Sequence, residues 1–166
     1  MNDAPPRESL WRRWVTKPLV QQLSQGTEPR QIALAIAFGV TTGVFPLLGT
    51  TTLLSLGVGL PLKLNQPVMQ LFRELVYPVH LATILVFIHA GEWLFGVPRT
   101  PLSITVMIER FGAGPAQFLS DYGMLGVYAV CVWLLLAPLI LGTAYFVSLP
   151  LVAHLSKRFS SARNAV

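Results

Sequence analysis

The chain has 166 residues, 53% hydrophobic and only 11% charged, with a net charge of +5 and a mean hydropathy of +0.60. Soluble domains carry about a quarter charged residues, so this composition, gathered into long uncharged runs, excludes an ordinary soluble domain and points to one compact integral membrane unit. The positive balance does not imply nucleic acid, because the basic residues flank the first and last apolar runs as the positive-inside rule expects, and no basic stripe interleaved with aromatics is present.

Residues 1–26 form the first segment. The stretch MNDAPPRESLWRRWVTK has no apolar core followed by a small-residue cleavage site, so it does not read as a cleavable signal peptide. Within residues 8–23, Leu10, Trp11, Trp14, Val15, Leu19 and Leu23 recur at helical spacing, with Arg12, Arg13 and Lys17 among them. That pattern predicts an amphipathic helix lying in a membrane interface, or one packed against its own protein, with Pro18 bending or dividing it.

Residues 27–156 read as a single membrane domain. Thr27 and Pro29 suit the start of a helix. Residues 32–62 contain no Asp, Glu, Lys or Arg; as one helix they would extend about 46 Å, against a hydrocarbon core of roughly 30 Å. Pro46, Gly49 and three consecutive threonines fall at the middle of this run, where they free backbone groups and favour a turn. The expectation is a hairpin over residues 31–63, broken at 45–49 and re-entrant, entering and leaving by one face. Arg30 and Lys63 then share the cytoplasmic side.

Residues 67–96 read as one crossing bent by Pro78. Residues 97–121 read as an external loop with a short interfacial helix at 102–111, since Arg99 and Arg110 are its only cations. A second uncharged run, 122–154, is interrupted by Pro138 and Gly142, and reads as a long broken helix, either kinked or partly re-entrant. Pro46 to Thr50 and Pro138 to Thr143 form a faint echo, a possible sign of transporter-like repeats. Residues 157–166 are a basic tail. The fold class expected is therefore all-α: an integral membrane protein with a broken or re-entrant hairpin, transmembrane helices and an interfacial N-terminal helix. Both termini are expected on the cytoplasmic side of the membrane.

Pro29, Gly39, Gly43, Pro46, Gly49, Lys63, Leu64, Asn65 and Pro67 occur in order within EPRQIALAIAFGVTTGVFPLLGTTTLL and LKLNQPV. In these residues the stretch 29–96 resembles the bacterial membrane family known as domain of unknown function 2062. The family pattern continues with an Asn-Pro pair at the next helix start, where this chain has Tyr77-Pro78. The resemblance implies a membrane protein and supplies no mechanism.

Ala35, Gly39 and Gly43 recur every four residues, a spacing that lets helices approach closely; Gly57 and Gly59 are assigned to the same contact. Arg73, Tyr77 and His80 fall at i, i+4 and i+7. Either Arg73 and Glu74 are interfacial residues near Lys63 that snorkel to water, or this face lies in a polar cavity shared with the hairpin, where Arg73 contacts an anionic group. Thr50, Thr51 and Thr52 place hydroxyls and a helix N-terminus at the hairpin tip, where an anionic headgroup or carboxylate would be favoured; alternatively the hydroxyls only cap the second leg. His89 and Glu92 read as the wet outer end of a helix. Cys131 is the only cysteine, so no intrachain disulfide forms.

No metal-ligand spacing, nucleotide loop or hydrolytic triad stands out, so neither a cofactor nor an enzyme is expected. Two function classes follow. One is a small transporter or lipid-translocation protein for an anionic substrate; the other is a noncatalytic membrane scaffold or assembly partner. The partners expected are the lipid bilayer, an anionic lipid or small anion, and a second copy or another membrane protein, with no nucleic acid.

Overall fold

The computed structural model describes residues 28–100 and 103–163. Six helices are the regular elements among them: α1 (Pro29–Gly43), α2 (Thr51–Gly59), α3 (Gln66–Leu75), α4 (Tyr77–Phe95), α5 (Ile104–Ala113) and α6 (Pro115–Arg163). The amphipathic helix expected at residues 8–23, and the Thr27 cap, lie outside the described residues.

The first uncharged run does break where its turn residues lie. α1 ends at Gly43, and Gly49 adopts the left-handed conformation (φ 78°) before α2 begins. Glycine takes that conformation without the penalty a Cβ imposes. The legs differ in length, 15 and 9 residues, or about 22 and 13 Å, and they pack on each other. The second leg ends in a turn through Lys63, also at positive φ. Asn65 then accepts a hydrogen bond from the Val68 N–H at 3.2 Å, and Pro67 occupies the first turn of α3. Asn-x-Pro is thus a helix start: a side-chain cap followed by a residue that has no N–H to leave unpaired.

α1 is the centre of the packing, resting against α3 and α6, while α4 packs on α6. Ile32, Ala35 and Ile36 of α1 share one core with Val68, Met69 and Val152. A second core holds Val44, just past α1, with Ile84, Phe87 and Ile88 of α4 and Ala129, Val132 and Trp133 of α6. The Trp133 indole donates to the Thr41 carbonyl at 3.1 Å, occupying one of the carbonyls that a helix end leaves without an intrahelical partner. Its ring meets Phe45 edge-on at 4.9 Å.

Small residues set how closely α1 and α3 approach. A Cβ on Gly39 would collide with the Met69 carbonyl oxygen, and one on Gly43 would stand 3.2 Å from the Arg73 backbone. Ala35, on the same face, is fully buried. Gly59 abuts Gln66 and Met69, but Gly57 faces open space and makes no such contact.

Four expectations are corrected. The crossing over 67–96 is two helices, α3 and α4, parted at Val76. Pro78 lacks the N–H that would bond the Glu74 carbonyl, so a continuous helix loses a rung there. The run 122–154 is not broken: α6 continues from Pro115 through Pro138 and Pro150 to Arg163, so Pro138 does not repeat the turn at Pro46, and residues 157–163 of the tail are helical. The loop 97–121 is also largely helical, because Ser103 caps α5 through the Val106 N–H at 3.2 Å and α6 starts at Pro115. Finally, Glu92 is fully buried; its Oε1 accepts from the Thr100 N–H at 2.8 Å and ties the 97–100 segment to α4.

Among the described residues, two stretches are long and apolar enough to cross a membrane: Tyr77–Phe95, with 19 residues, and Tyr122–Lys157, with 36. In the most apolar window of each, 33% and 17% of the positions are buried. A helix at the core of a soluble protein would be mostly buried, and these are not. Trp93, Leu135, Leu139 and Phe146 are among the large side chains left exposed along them.

Candidate functional site

A pocket of about 190 Å³ lies where the hairpin tip meets the α3–α4 elbow. Its volume is several times the ~30 Å³ of one water and below the roughly 300 Å³ at which drug-sized pockets begin. It has room for a small group only. Gly43, Leu48, Gly49, Thr51 and Thr52 line it from the hairpin, and Arg73, Glu74, Tyr77 and His80 line it from the elbow.

The tip therefore has two sides. Leu47 and Phe45 seal the first against Gly126 and Trp133 of α6. The second opens to the pocket and presents the first turn of α2. Thr50 precedes that turn as its N-cap residue without capping it: its hydroxyl donates to the Leu47 carbonyl at 2.9 Å. The threonines are thus not a simple cap for the second leg. Thr51 and Thr52 form the pocket wall and Thr50 braces the turn behind them.

Arg73 reaches the site because Gly43 lets α1 pack directly on its backbone. Its side chain is 11% exposed, and one guanidinium nitrogen pairs with the Glu74 carboxylate, which is 63% exposed. The other terminal nitrogen, Nη1, is buried without a partner. Guanidinium stays charged under all relevant conditions, so this is a buried positive group with unspent donor capacity beside a carboxylate free to turn toward water. His80 is 1% exposed, and its buried imidazole lies within hydrogen-bonding range of the Phe45 backbone. The Tyr77 ring meets it edge-on at 5.9 Å. Buried polar atoms are nearly always paired; Arg73 Nη1 is not.

The arrangement favours an anion for three physical reasons. The first turn of a helix directs N–H groups and a positive partial charge outward. Arg73 adds a full charge in partly desolvated surroundings, and the imidazole offers an N–H donor.

Arg73, Tyr77, His80, Thr51 and Thr52 were all singled out in the sequence, and the fold brings them together. The spacing argument that linked Arg73, Tyr77 and His80 does not hold as stated, because the helix breaks between the first and the second. The elbow gathers them instead. Gly43, Pro46 and Gly49 shape the tip, Ala35 and Gly39 hold α1 to its neighbours, and Asn65 and Pro67 only start α3. Leu48 was missed, and Glu74 was read only as an interfacial neighbour of Arg73. His89 and Glu92 lie apart from the pocket. Among the described residues, no group of His, Cys, Asp and Glu side chains could hold a metal ion.

The family model described as "Uncharacterized protein conserved in bacteria (DUF2062)" matches residues 12–160. The chain belongs to that family. No curated protein and no solved structure matches it.

Proposed function

We propose that this member of the family is a multi-pass membrane protein that binds and translocates an anionic substrate through the pocket between the hairpin tip and the α3–α4 elbow. The observation that carries the reading is Arg73: a largely buried guanidinium with an unpartnered nitrogen, lining one cavity together with His80 and the first turn of α2. A packing role alone gives no reason to leave such a charged donor unpaired, at about 1–3 kcal/mol for a buried unsatisfied group.

Membrane residence is supported by the two long helices and their exposed leucine, phenylalanine and tryptophan side chains, a liability in water and neutral in lipid. In this reading the α1–α2 hairpin is re-entrant. Its legs, about 22 and 13 Å, are each shorter than a roughly 30 Å core, so the tip sits at membrane depth, buried in protein on one side and open to a polar pocket on the other. The termini and Lys63 face the cytoplasm of a bacterial inner membrane. The reading assigns the protein no bond-making chemistry.

Phosphate is the shared chemistry, whether free or on a lipid. The test reconstitutes the full chain in phosphatidylcholine vesicles and follows, in parallel, inorganic phosphate uptake and the transbilayer movement of a fluorescent short-chain phosphatidic acid. Movement of either probe, abolished by Arg73→Gln at unchanged protein level, is the expected result and identifies the source. If neither probe binds or moves, or if Arg73→Gln leaves both unaffected, the pocket is not a transport site and a scaffold role replaces it.

A further inference from the structure

Away from the pocket, the interface of α2 with α3 is polar along its length. The helices run antiparallel, so Thr52 lies at the Arg73 end, Ser55 opposite Gln70, and Gly59 against Gln66. The Ser55 hydroxyl donates to the Thr52 carbonyl at 2.9 Å and accepts from the Gln70 amide at 3.1 Å, and the residue is fully buried. Gln66 has both its amide nitrogen and its amide oxygen buried without a partner. Gln66, Gln70 and Arg73 stand at i, i+4 and i+7 of one unbroken helix, so they form a line on one face.

Nothing in the local fold calls for these residues. Asn65 and Pro67 already start α3, and leucine or alanine would pack an apolar helix pair without unsatisfied groups. The line begins at the turn holding Lys63, which is exposed, and ends about 10 Å away at the pocket, seven residues on. The opposite face of α2 is apolar and bare, with Leu53 at 73% and Leu60 at 61% exposure. α2 packs on α1 and α3 and leaves this face uncovered.

We propose that the α2–α3 seam is the route along which a lipid-borne phosphate passes between the pocket and the membrane face marked by Lys63. The proposal rests on the anion site described above. Gln66, Gln70 and Ser55 supply N–H and O–H donors in succession but no fixed charge, so each step holds the headgroup weakly enough for it to move on. The acyl chains stay in lipid beside Leu53 and Leu60. α2 yields sideways to admit the headgroup.

The test uses the full chain in phosphatidylcholine vesicles with the fluorescent short-chain phosphatidic acid, and measures equilibrium binding of the same lipid separately in detergent. The Gln66→Leu/Gln70→Leu double variant keeps the pocket intact. Its transbilayer rate falls at least about tenfold while binding changes less than about twofold, and Gly57→Ala on the bare face leaves both unchanged. In a Cys131→Ser background, Ser55→Cys reacts with an anionic thiol reagent and is protected by phosphatidic acid. The double variant moving lipid at the wild-type rate overturns the proposal, as does a Ser55→Cys variant that stays unreactive while the protein transports. A wild-type protein that binds no phosphatidic acid removes the anion site and the seam together; intact binding with a lost rate is the seam's own signature.

Discussion

Glu74 separates an anion site from a structural ion pair. Its carboxylate pairs with one nitrogen of the Arg73 guanidinium, yet it is 63% exposed while the arginine side chain is 11% exposed. An arriving phosphate must therefore displace a carboxylate that water readily accepts. Pairs with one partner this exposed contribute about 0–1 kcal/mol, and that is the free energy a ligand loses in taking Arg73 over. Glu74→Gln removes the competitor and the repulsion it exerts on an incoming anion while keeping the side chain's size. Affinity for phosphatidic acid is expected to rise about two- to fivefold, since 1 kcal/mol is roughly fivefold in a binding constant. Arg73→Gln lowers it in the same assay. Titration of the fluorescent lipid into the detergent-solubilised protein reads both, and the Glu74→Gln gain should shrink as salt screens the site. Unchanged or weaker binding in Glu74→Gln would refute the claim that Arg73 is held in reserve for a ligand.

Gly39→Ala places a Cβ against the Met69 carbonyl oxygen, a backbone atom that moves only with α3; overpacking of this kind costs about 1–3 kcal/mol, visible as a lower thermal midpoint in detergent. Trp133→Phe keeps most of the ring packing but removes the donor to the Thr41 carbonyl, and about 1–3 kcal/mol of stability is expected to go with it, read in the same thermal assay. For topology, in a Cys131→Ser background an impermeant thiol reagent should label Ser103→Cys and spare Ser161→Cys in intact cells; the reverse pattern would invert the proposed orientation.

Much of the candidate pocket's lining was legible in the sequence, for a partly mistaken reason. Arg73, Tyr77 and His80 were linked by the spacing of one helix, but the chain turns at Val76 and the elbow, with Gly43 pressed on the Arg73 backbone, converges them instead. Ser55, Gln66 and Gln70 went unremarked, because an isolated glutamine in a sequence reads as an exposed one. Glu92 was read as wet for the same reason: burial is set by what packs around a residue, and Thr100 reaches it from eight positions away.

Local chemistry alone determined the helical class, the uncharged runs, the hairpin break at Pro46 and Gly49, and the start of α3 at Asn65 and Pro67. Each depends on a missing N–H, a missing Cβ or a capping side chain within a few residues, and such effects act wherever the segment lies. The contrast between Pro46 and Pro138 shows where that reasoning stops. Both sit mid-run with a glycine shortly after, yet the first ends a helix and the second rides inside 49 residues of one. An interior proline costs about 3 kcal/mol, a sum that apolar contacts spread along α6 against α1 and α4 can exceed. At the hairpin, Gly49 takes a positive φ, the threonines favour helix poorly, and the turn itself is packed, Phe45 on Trp133 and Leu47 on Gly126. The same residue is a turn or a tolerated defect according to which conformation its neighbours in space bury, and only the tertiary structure decides that.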